Sequence, residues 1–215
     1  MELQVFAIVI LLFSIVVHEY AHGWMAFRSG DPTAKYAGRL TLNPLPHLDL
    51  MGSIILPLFL FLSNSPVLFG WAKPVPVNPA NFNNPSVDNL KVSSAGPLSN
   101  MLLAVIFTFL GILSILIMHS IQLFQICRFG IQINLILALF NLIPIAPLDG
   151  SHILEYYIPY KWKEAYYRFQ SFGSILLMVI IFLSFLSPIN IFWLIIGIPF
   201  NFLYNLLMLL IDLVV

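Results

Sequence analysis

The sequence predicts an all-α polytopic membrane protein with five to six transmembrane helices and a short membrane-associated hairpin or re-entrant segment after the first span. Hydrophobic residues make up 60% of the 215-residue chain and charged residues only 8%. A soluble domain of this size carries about 25% charged residues. Several apolar stretches are also long enough to cross a bilayer as helices. We expect one membrane-embedded domain over residues 1–215.

The apolar stretches occur at about 3–27, 50–63, 92–118, 131–148, 172–187 and 189–213. Stretch 50–63 is short and contains Pro57, so it either spans or enters the membrane and returns. If it returns, eight of the nine basic residues lie on one side and only Arg128 on the other. If it spans, the split is four against five. The positive-inside rule therefore favours a re-entrant segment, five full spans and a cytoplasmic C-terminus in a cell (inner) membrane.

The first apolar stretch carries the motif H-E-x-x-H as His18, Glu19 and His22. On an α-helix, residues i and i+4 lie on one face, so both imidazoles can bind one metal ion. Glu19 is rotated by about 100° from His18, which places its carboxylate beside the ion as a candidate general base. The motif can also arise by chance. However, ionisable groups in a transmembrane segment usually mark function.

Two connections follow the first span. Polar and apolar residues alternate between Gly38 and Leu42, which predicts a short hairpin or extended strand at the membrane. Four prolines from Pro74 to Pro85, counting both ends, predict an extended, irregular loop.

Gly96 and Asn100 lie one turn apart near the start of the third apolar stretch. Gly96 permits close helix approach, and Asn100 offers a hydrogen bond inside the bundle. We expect this pair to serve helix packing, and contact with a substrate is the alternative role.

Stretch 131–148 ends in Pro144 and Pro147, followed directly by Asp149. Prolines break a helix, and broken backbone at membrane depth must line a cavity or be buried in protein. In the favoured topology, Asp149 lies at a similar depth to His18 and His22, towards the cytoplasmic leaflet. Catalytic zinc commonly has three His or carboxylate ligands and one open position. Asp149 is therefore the predicted third ligand, with a helix cap as its alternative role.

Three further residues are secondary candidates. His47 and Asp49 can share one face of an extended segment and serve an extra metal, a substrate or a gate, although interfacial hydrogen bonding is the simpler reading. His152 follows Asp149 by three residues and can orient its carboxylate without binding the metal. Cys127 is the single cysteine, which excludes a multi-thiolate site. Zero net charge and the lack of a basic stripe argue against nucleic acid.

The motifs resemble those of the site-2 protease family of intramembrane zinc metalloproteases, in its small prokaryotic branch without PDZ or CBS domains. The resemblance covers residues 3 to about 155, which form the expected catalytic core before a C-terminal helical pair at about 172–213. The matching motifs are His18-Glu19-x-x-His22, Gly96-x-x-x-Asn100 and Asn141-x-x-Pro144-x-x-x-Leu148-Asp149-Gly150.

This resemblance implies one catalytic Zn²⁺ held by His18, His22 and Asp149, with Glu19 as the catalytic base. It also implies that Asn141 contacts the substrate carbonyl or its tetrahedral intermediate. The expected partners are the lipid bilayer and a single-pass transmembrane protein, cut near the cytoplasmic leaflet in regulated intramembrane proteolysis. The alternative function is a membrane metal transporter or metal sensor. The sequence favours hydrolysis over transport, because transport pathways usually carry polar residues in both halves of the membrane.

Overall fold

The computed structural model describes residues 2–55, 59, 62, 72–186 and 191–214, and within these ranges the chain is helical with no strand. The helices are α1 Glu2–Arg28, α2 Thr33–Tyr36, α3 Pro85–Leu116, α4 Ile121–Asn141, α5 Asp149–Tyr157, α6 Tyr160–Ser171, α7 Gly173–Leu186 and α8 Ile191–Asp212. Short 3₁₀ turns form at Leu45–His47 and Pro79–Asn81, and a π-helical turn forms at Leu50–Ile55.

Within the described part of the chain, four helices are long and apolar enough to cross a membrane, namely α1, α3, α4 and α8. Helices α6 and α7 meet at a bend of 50° and make a fifth crossing if the pair counts as one span. Apolar side chains cover the outer faces of the bundle, as with Leu102 and Phe109 of α3, both 60% exposed. Such a surface suits hydrocarbon rather than water. The all-α polytopic membrane fold predicted from composition is therefore confirmed.

Two predicted boundaries are wrong. The span predicted at 131–148 begins ten residues earlier, at Ile121, and ends at Asn141. The hydroxyl of Ser120 accepts a hydrogen bond from the Leu123 N–H and caps the helix start. The following glutamines and Arg128 lower the local hydropathy but are good helix formers, so the helix continues through them. Residues 151–171, which lie between two of the apolar stretches, are also mostly helical and form most of α5 and α6.

The hairpin predicted after the first span does not form in the described residues. Residues 38–42 make turns and bends, beginning at Gly38 with a φ of +66°. The Arg39 guanidinium donates to the carbonyl oxygens of Lys73 and Pro74, so this loop pairs with the proline-rich segment through a side chain. Alternation of polar and apolar residues over five positions is too short a signal to specify a strand without a partner. The predicted re-entrant segment 50–63 lies partly outside the described residues, so whether it spans or returns stays a prediction.

The proline-rich segment is tied to the end of α1. Asp31 is fully buried and accepts hydrogen bonds from the Asn78 N–H at 2.7 Å and the Asn81 amide at 2.8 Å. Burial raises the pKa of this carboxyl, but bonds from Thr33, Asn78 and Asn81 outweigh burial and hold its pKa below the usual value. This anchor fixes the segment against the helix that carries the H-E-x-x-H motif.

The centre of the bundle is the packing of α3 against α1, α4 and α5. A buried apolar cluster joins α3, α4 and α8 and consists of Ala104, Ile131, Leu135, Phe200, Leu207 and Ile211. Small residues let α3 and α4 approach closely. A Cβ at Gly130 would lie 2.6 Å from the Phe107 ring, whereas one at Gly111 would lie 3.5 Å from Phe124.

This contrast gives a test of the α3–α4 contact. We expect Gly130→Ala to lower the free energy of unfolding by about 1–3 kcal/mol, since the new methyl group overlaps an aromatic ring held in the bundle. Gly111→Ala is the matched control at the same interface. It should be neutral or slightly stabilising, because alanine is the better helix former by about 1 kcal/mol. Thermal unfolding in detergent micelles measures both, and equal midpoints would contradict the close approach at Gly130.

Candidate metal centre

Helix α1 presents His18 and His22 one turn apart towards α3. The Nε2 atoms of the two imidazoles lie 3.0 Å apart, and His18 is buried. The spacing in the sequence therefore brings two ring nitrogens to one point inside the bundle.

Asp149 reaches the same point from the other side. Helix α4 ends at Asn141, residues 142–148 form irregular turns, and α5 begins at Asp149 itself. Its Oδ2 lies 3.2 Å from His18 Nε2, and its Oδ1 lies 3.3 Å from His22 Nε2. A carboxylate in the first turn of a helix also gains from the helix dipole, which favours its charged form.

The hydrogen bonds on the far side of the rings decide which nitrogens carry hydrogen. His22 Nδ1 lies 2.7 Å from the carbonyl oxygen of Val92, and His18 Nδ1 lies 2.6 Å from Oδ1 of Asn100. Both oxygens can only accept, so both Nδ1 atoms donate. In neutral rings the two Nε2 atoms then present lone pairs towards each other and towards Asp149.

Three lone-pair atoms facing one another repel unless a cation lies between them. Asp149 Oδ2 is buried and receives no hydrogen bond, although His18 Nε2 is near. The two Nε2 atoms are 3.0 Å apart, and the carboxylate lies 3.2 Å from His18 Nε2 through Oδ2 and 3.3 Å from His22 Nε2 through Oδ1. Ligands of tetrahedral zinc at bond lengths of about 2.0–2.1 Å are about 3.3 Å apart. This donor set therefore fits one zinc ion, and it is the only group of this kind among the described residues.

Gly96 and Asn100 of α3 both lie against the imidazoles. A Cβ at Gly96 would be 2.3 Å from His22 Nε2 and 2.6 Å from His18 Nε2, so no larger side chain fits there without moving a ring. Asn100 is fully buried and holds His18 through the bond to Nδ1. The close approach predicted for this pair is thus an approach to the two histidines.

Glu19 and Asn141 line the same cavity, which has a volume of about 440 Å³ and also contains the two histidines and Asp149. Oε2 of Glu19 accepts a hydrogen bond of 2.7 Å from the Val75 N–H. The proline-rich segment thus orients this carboxylate and forms one wall of the cavity. The Asn141 amide donates to the Leu137 carbonyl at 2.9 Å, and its role towards a substrate stays a prediction.

His47 and Asp49 do not join the metal-binding group. His47 is buried, and its Nε2 lies 2.9 Å from the Thr41 carbonyl, while its own carbonyl accepts from the Lys73 N–H. Asp49 accepts a hydrogen bond from the Gly52 N–H. Their contacts are those of residues that hold a loop. His152 lines the cavity but lies 3.7 Å from Glu155 rather than against Asp149.

Sequence reasoning missed several contributors to the site. The backbone groups of Val75 and Val92 could not be found, because main-chain contacts leave no trace in residue type. Ser14 and Asn134 could have been noticed, since each is a polar residue in an apolar stretch. Both are fully buried within hydrogen-bonding distance of each other and Asn100.

Comparisons with known proteins agree with this chemistry. A family model described as "Peptidase family M50" matches residues 111–186, a range that includes Asp149 but not α1. The chain is 36% identical over 200 residues to the Bacillus subtilis protein named "Putative zinc metalloprotease YwhC", covering 88% of this chain and 84% of that protein.

A second relative, "Putative zinc metalloprotease Rip2" of Mycolicibacterium smegmatis, is 29% identical over 171 residues, or 79% of this chain and 64% of that protein. A third, "Putative zinc metalloprotease MJ0611" of Methanocaldococcus jannaschii, is 41% identical over 75 residues, or 35% of this chain and 37% of that protein. No solved structure matches the chain.

The lack of space for a side chain at Gly96 predicts that a substitution there weakens metal binding. We expect Gly96→Ala to weaken zinc binding by at least ~10-fold, because the methyl group must displace one or both imidazoles. Gly111→Ala, on the same helix and far from the rings, should bind zinc like the parent. Competition with a zinc-binding dye measures both affinities. Equal affinities would mean that the imidazoles can move aside without loss of binding.

Proposed function

Since the chain belongs to peptidase family M50, the site-2 proteases, we propose that this zinc-dependent protease cuts single-pass membrane proteins near the cytoplasmic leaflet. One observation carries the proposal. The three lone-pair donors and a carboxylate in the position of a base share one cavity within a bundle of membrane-spanning helices. A substrate that reaches this cavity from the bilayer is itself a membrane segment.

We assign the roles as follows. His18, His22 and Asp149 would hold one zinc ion, which when bound would polarise a carbonyl and lower the pKa of water to about 7. Glu19 takes the proton of the attacking water and delivers it to the leaving amine nitrogen. Its bond to the Val75 N–H uses one carboxylate oxygen, and the second is available to the water. Asn141 lines the cavity where it can donate to the carbonyl oxygen of the substrate.

A transmembrane helix hides its peptide bonds in internal hydrogen bonds, so the substrate must unwind locally before attack. Water must also reach the cavity. A second cavity shares Pro79, Asn89 and His152 with the first and continues past Ser86, Glu155 and Lys163. These polar side chains support a water route from the face where α5 and α6 lie.

The base gives the main test of hydrolysis. We expect Glu19→Gln to retain zinc and lose cleavage of a single-pass membrane substrate by at least ~10²-fold, because an amide cannot accept the proton of water. His18→Ala is the companion variant and should lose both zinc and cleavage. The measurements are zinc content and product formation by purified protein in detergent or liposomes.

Two results would count against the assignment. Full cleavage by Glu19→Gln would remove this carboxylate from proton transfer. Retention of zinc by His18→Ala would place the metal elsewhere.

From the distribution of basic residues we infer that the C-terminus lies in the cytoplasm and the turn between α3 and α4 on the opposite side of a cell (inner) membrane. We expect a reporter that is active only in the cytoplasm to work when fused after Val215 and to fail when inserted at His119. A reporter active only outside should give the reverse pattern. The reverse of both patterns would invert the topology and put the cut near the other leaflet.

A further inference from the structure

A series of buried polar side chains links His18 to Asn134, which lies in the middle of α4. His18 Nδ1 donates to Asn100 Oδ1 at 2.6 Å, and Asn100 Nδ2 donates to Asn134 Oδ1 at 2.9 Å. Asn100 and Asn134 both have no exposed surface. These bonds connect α1, α3 and α4 at the level of the metal centre.

The orientation of Asn134 is fixed from within its own helix. Its Nδ2 lies 2.9 Å from the Gly130 carbonyl oxygen, which can only accept a hydrogen bond. The same Nδ2 also donates to the Ser14 hydroxyl at 2.9 Å. The amide cannot be reversed without placing two oxygens in contact, so Oδ1 must face Asn100.

Asn134 in turn sets the orientation of Asn100. With an acceptor at Asn134 Oδ1, Asn100 turns its Nδ2 towards α4 and its Oδ1 towards His18. The Ser14 carbonyl also receives Asn100 Nδ2, but at 3.3 Å this contact is near the limit of a hydrogen bond. Asn134 is therefore the stronger determinant of the two.

The orientation of Asn100 decides which nitrogen of His18 faces the metal position with a lone pair. An acceptor at Nδ1 keeps the hydrogen of His18 on that atom and leaves the lone pair of Nε2 pointing at the metal position. A reversed Asn100 would offer a donor to Nδ1, move the ring hydrogen to Nε2 and point it at Asp149. One ligand position would then be closed.

We propose that Asn134 is a positioning residue for the zinc site. Through Asn100, it holds His18 in the tautomer that can bind the metal, and it does not itself contact the metal. The inference rests on the proposed assignment of His18 as a ligand. It also explains why the polar side chains of Ser14, Asn100 and Asn134 are buried at a place where apolar side chains could pack instead. Replacement of both partners of a buried hydrogen bond by apolar groups of the same shape can be nearly neutral or stabilising.

The test compares two substitutions that keep the branched shape of the asparagine side chain, made in the whole chain. Asn134→Leu removes the acceptor for Asn100, and we expect it to raise the zinc dissociation constant by at least ~10-fold. Asn134→Asp, protonated in this apolar interior, keeps an oxygen for Asn100 and a hydroxyl for Gly130, so its dissociation constant should stay close to that of the parent. Thr108→Val, which also removes a buried hydrogen bond from α3, should bind zinc like the parent.

The measurements are dye competition for zinc and thermal unfolding of the zinc-free protein. A purely structural role predicts the opposite order, with Asn134→Asp the more damaging because it buries an acid. The proposal is overturned if Asn134→Leu binds zinc as tightly as Thr108→Val, or if Asn134→Asp binds it more weakly than Asn134→Leu. Should Asn134→Leu not fold, Asn134→Ser replaces it with the same expectation, since a serine hydroxyl bonds its own helix and is too short to reach Asn100.

His18→Ala separates this inference from the proposed function. Retention of zinc by that variant would remove the ligand assignment itself. Loss of zinc by His18→Ala together with full affinity in Asn134→Leu would remove only the positioning role.

Discussion

The structure depends on three acceptor atoms that face one another inside an apolar bundle. Two imidazole nitrogens without hydrogen and a buried carboxylate oxygen without a donor lie within 3.3 Å of their neighbours. In a low-dielectric interior such an arrangement is costly unless a cation joins the three atoms. A zinc ion, which the names of the relatives imply, would convert this repulsive contact between α1 and the start of α5 into an attractive one.

The rest of the bundle is arranged so that this contact can form. Helix α3 lies against α1, α4 and α5, and Gly96 supplies the space that the imidazoles occupy. The irregular turns between α4 and α5 carry Asp149 back into the bundle rather than out to the surface. On the far side of the rings, a carbonyl and an amide oxygen fix the hydrogen positions. In lipid there is little hydrophobic drive between helices, so small residues and buried hydrogen bonds such as these provide the close packing.

Much of the site could be predicted from the sequence, because its chemistry follows local spacing. His18, Glu19 and His22 lie on one helix, and Asp149 follows a break that two prolines announce. Helix boundaries were harder, since the polar residues at the start of α4 lower hydropathy without ending a helix. The loop after α1 was also misjudged, because Arg39 and Asp31 hold it through side-chain bonds to a segment more than 30 residues away. Asn134 escaped notice because its importance depends on which helix it faces, which spacing along one helix does not reveal.

The position of Glu19 shows that the proposed base is coupled to a loop as well as to its own helix. His18 and His22 contact residues of α3 and the first residue of α5, whereas the Glu19 carboxylate accepts a hydrogen bond from the backbone of Val75. That segment is anchored by Asp31 and Arg39 at the end of α1, and it forms a wall of the cavity. A displacement of this segment away from α1 would lengthen or break the bond to Glu19, so the orientation of this carboxylate depends on how Asp31 and Arg39 anchor the segment.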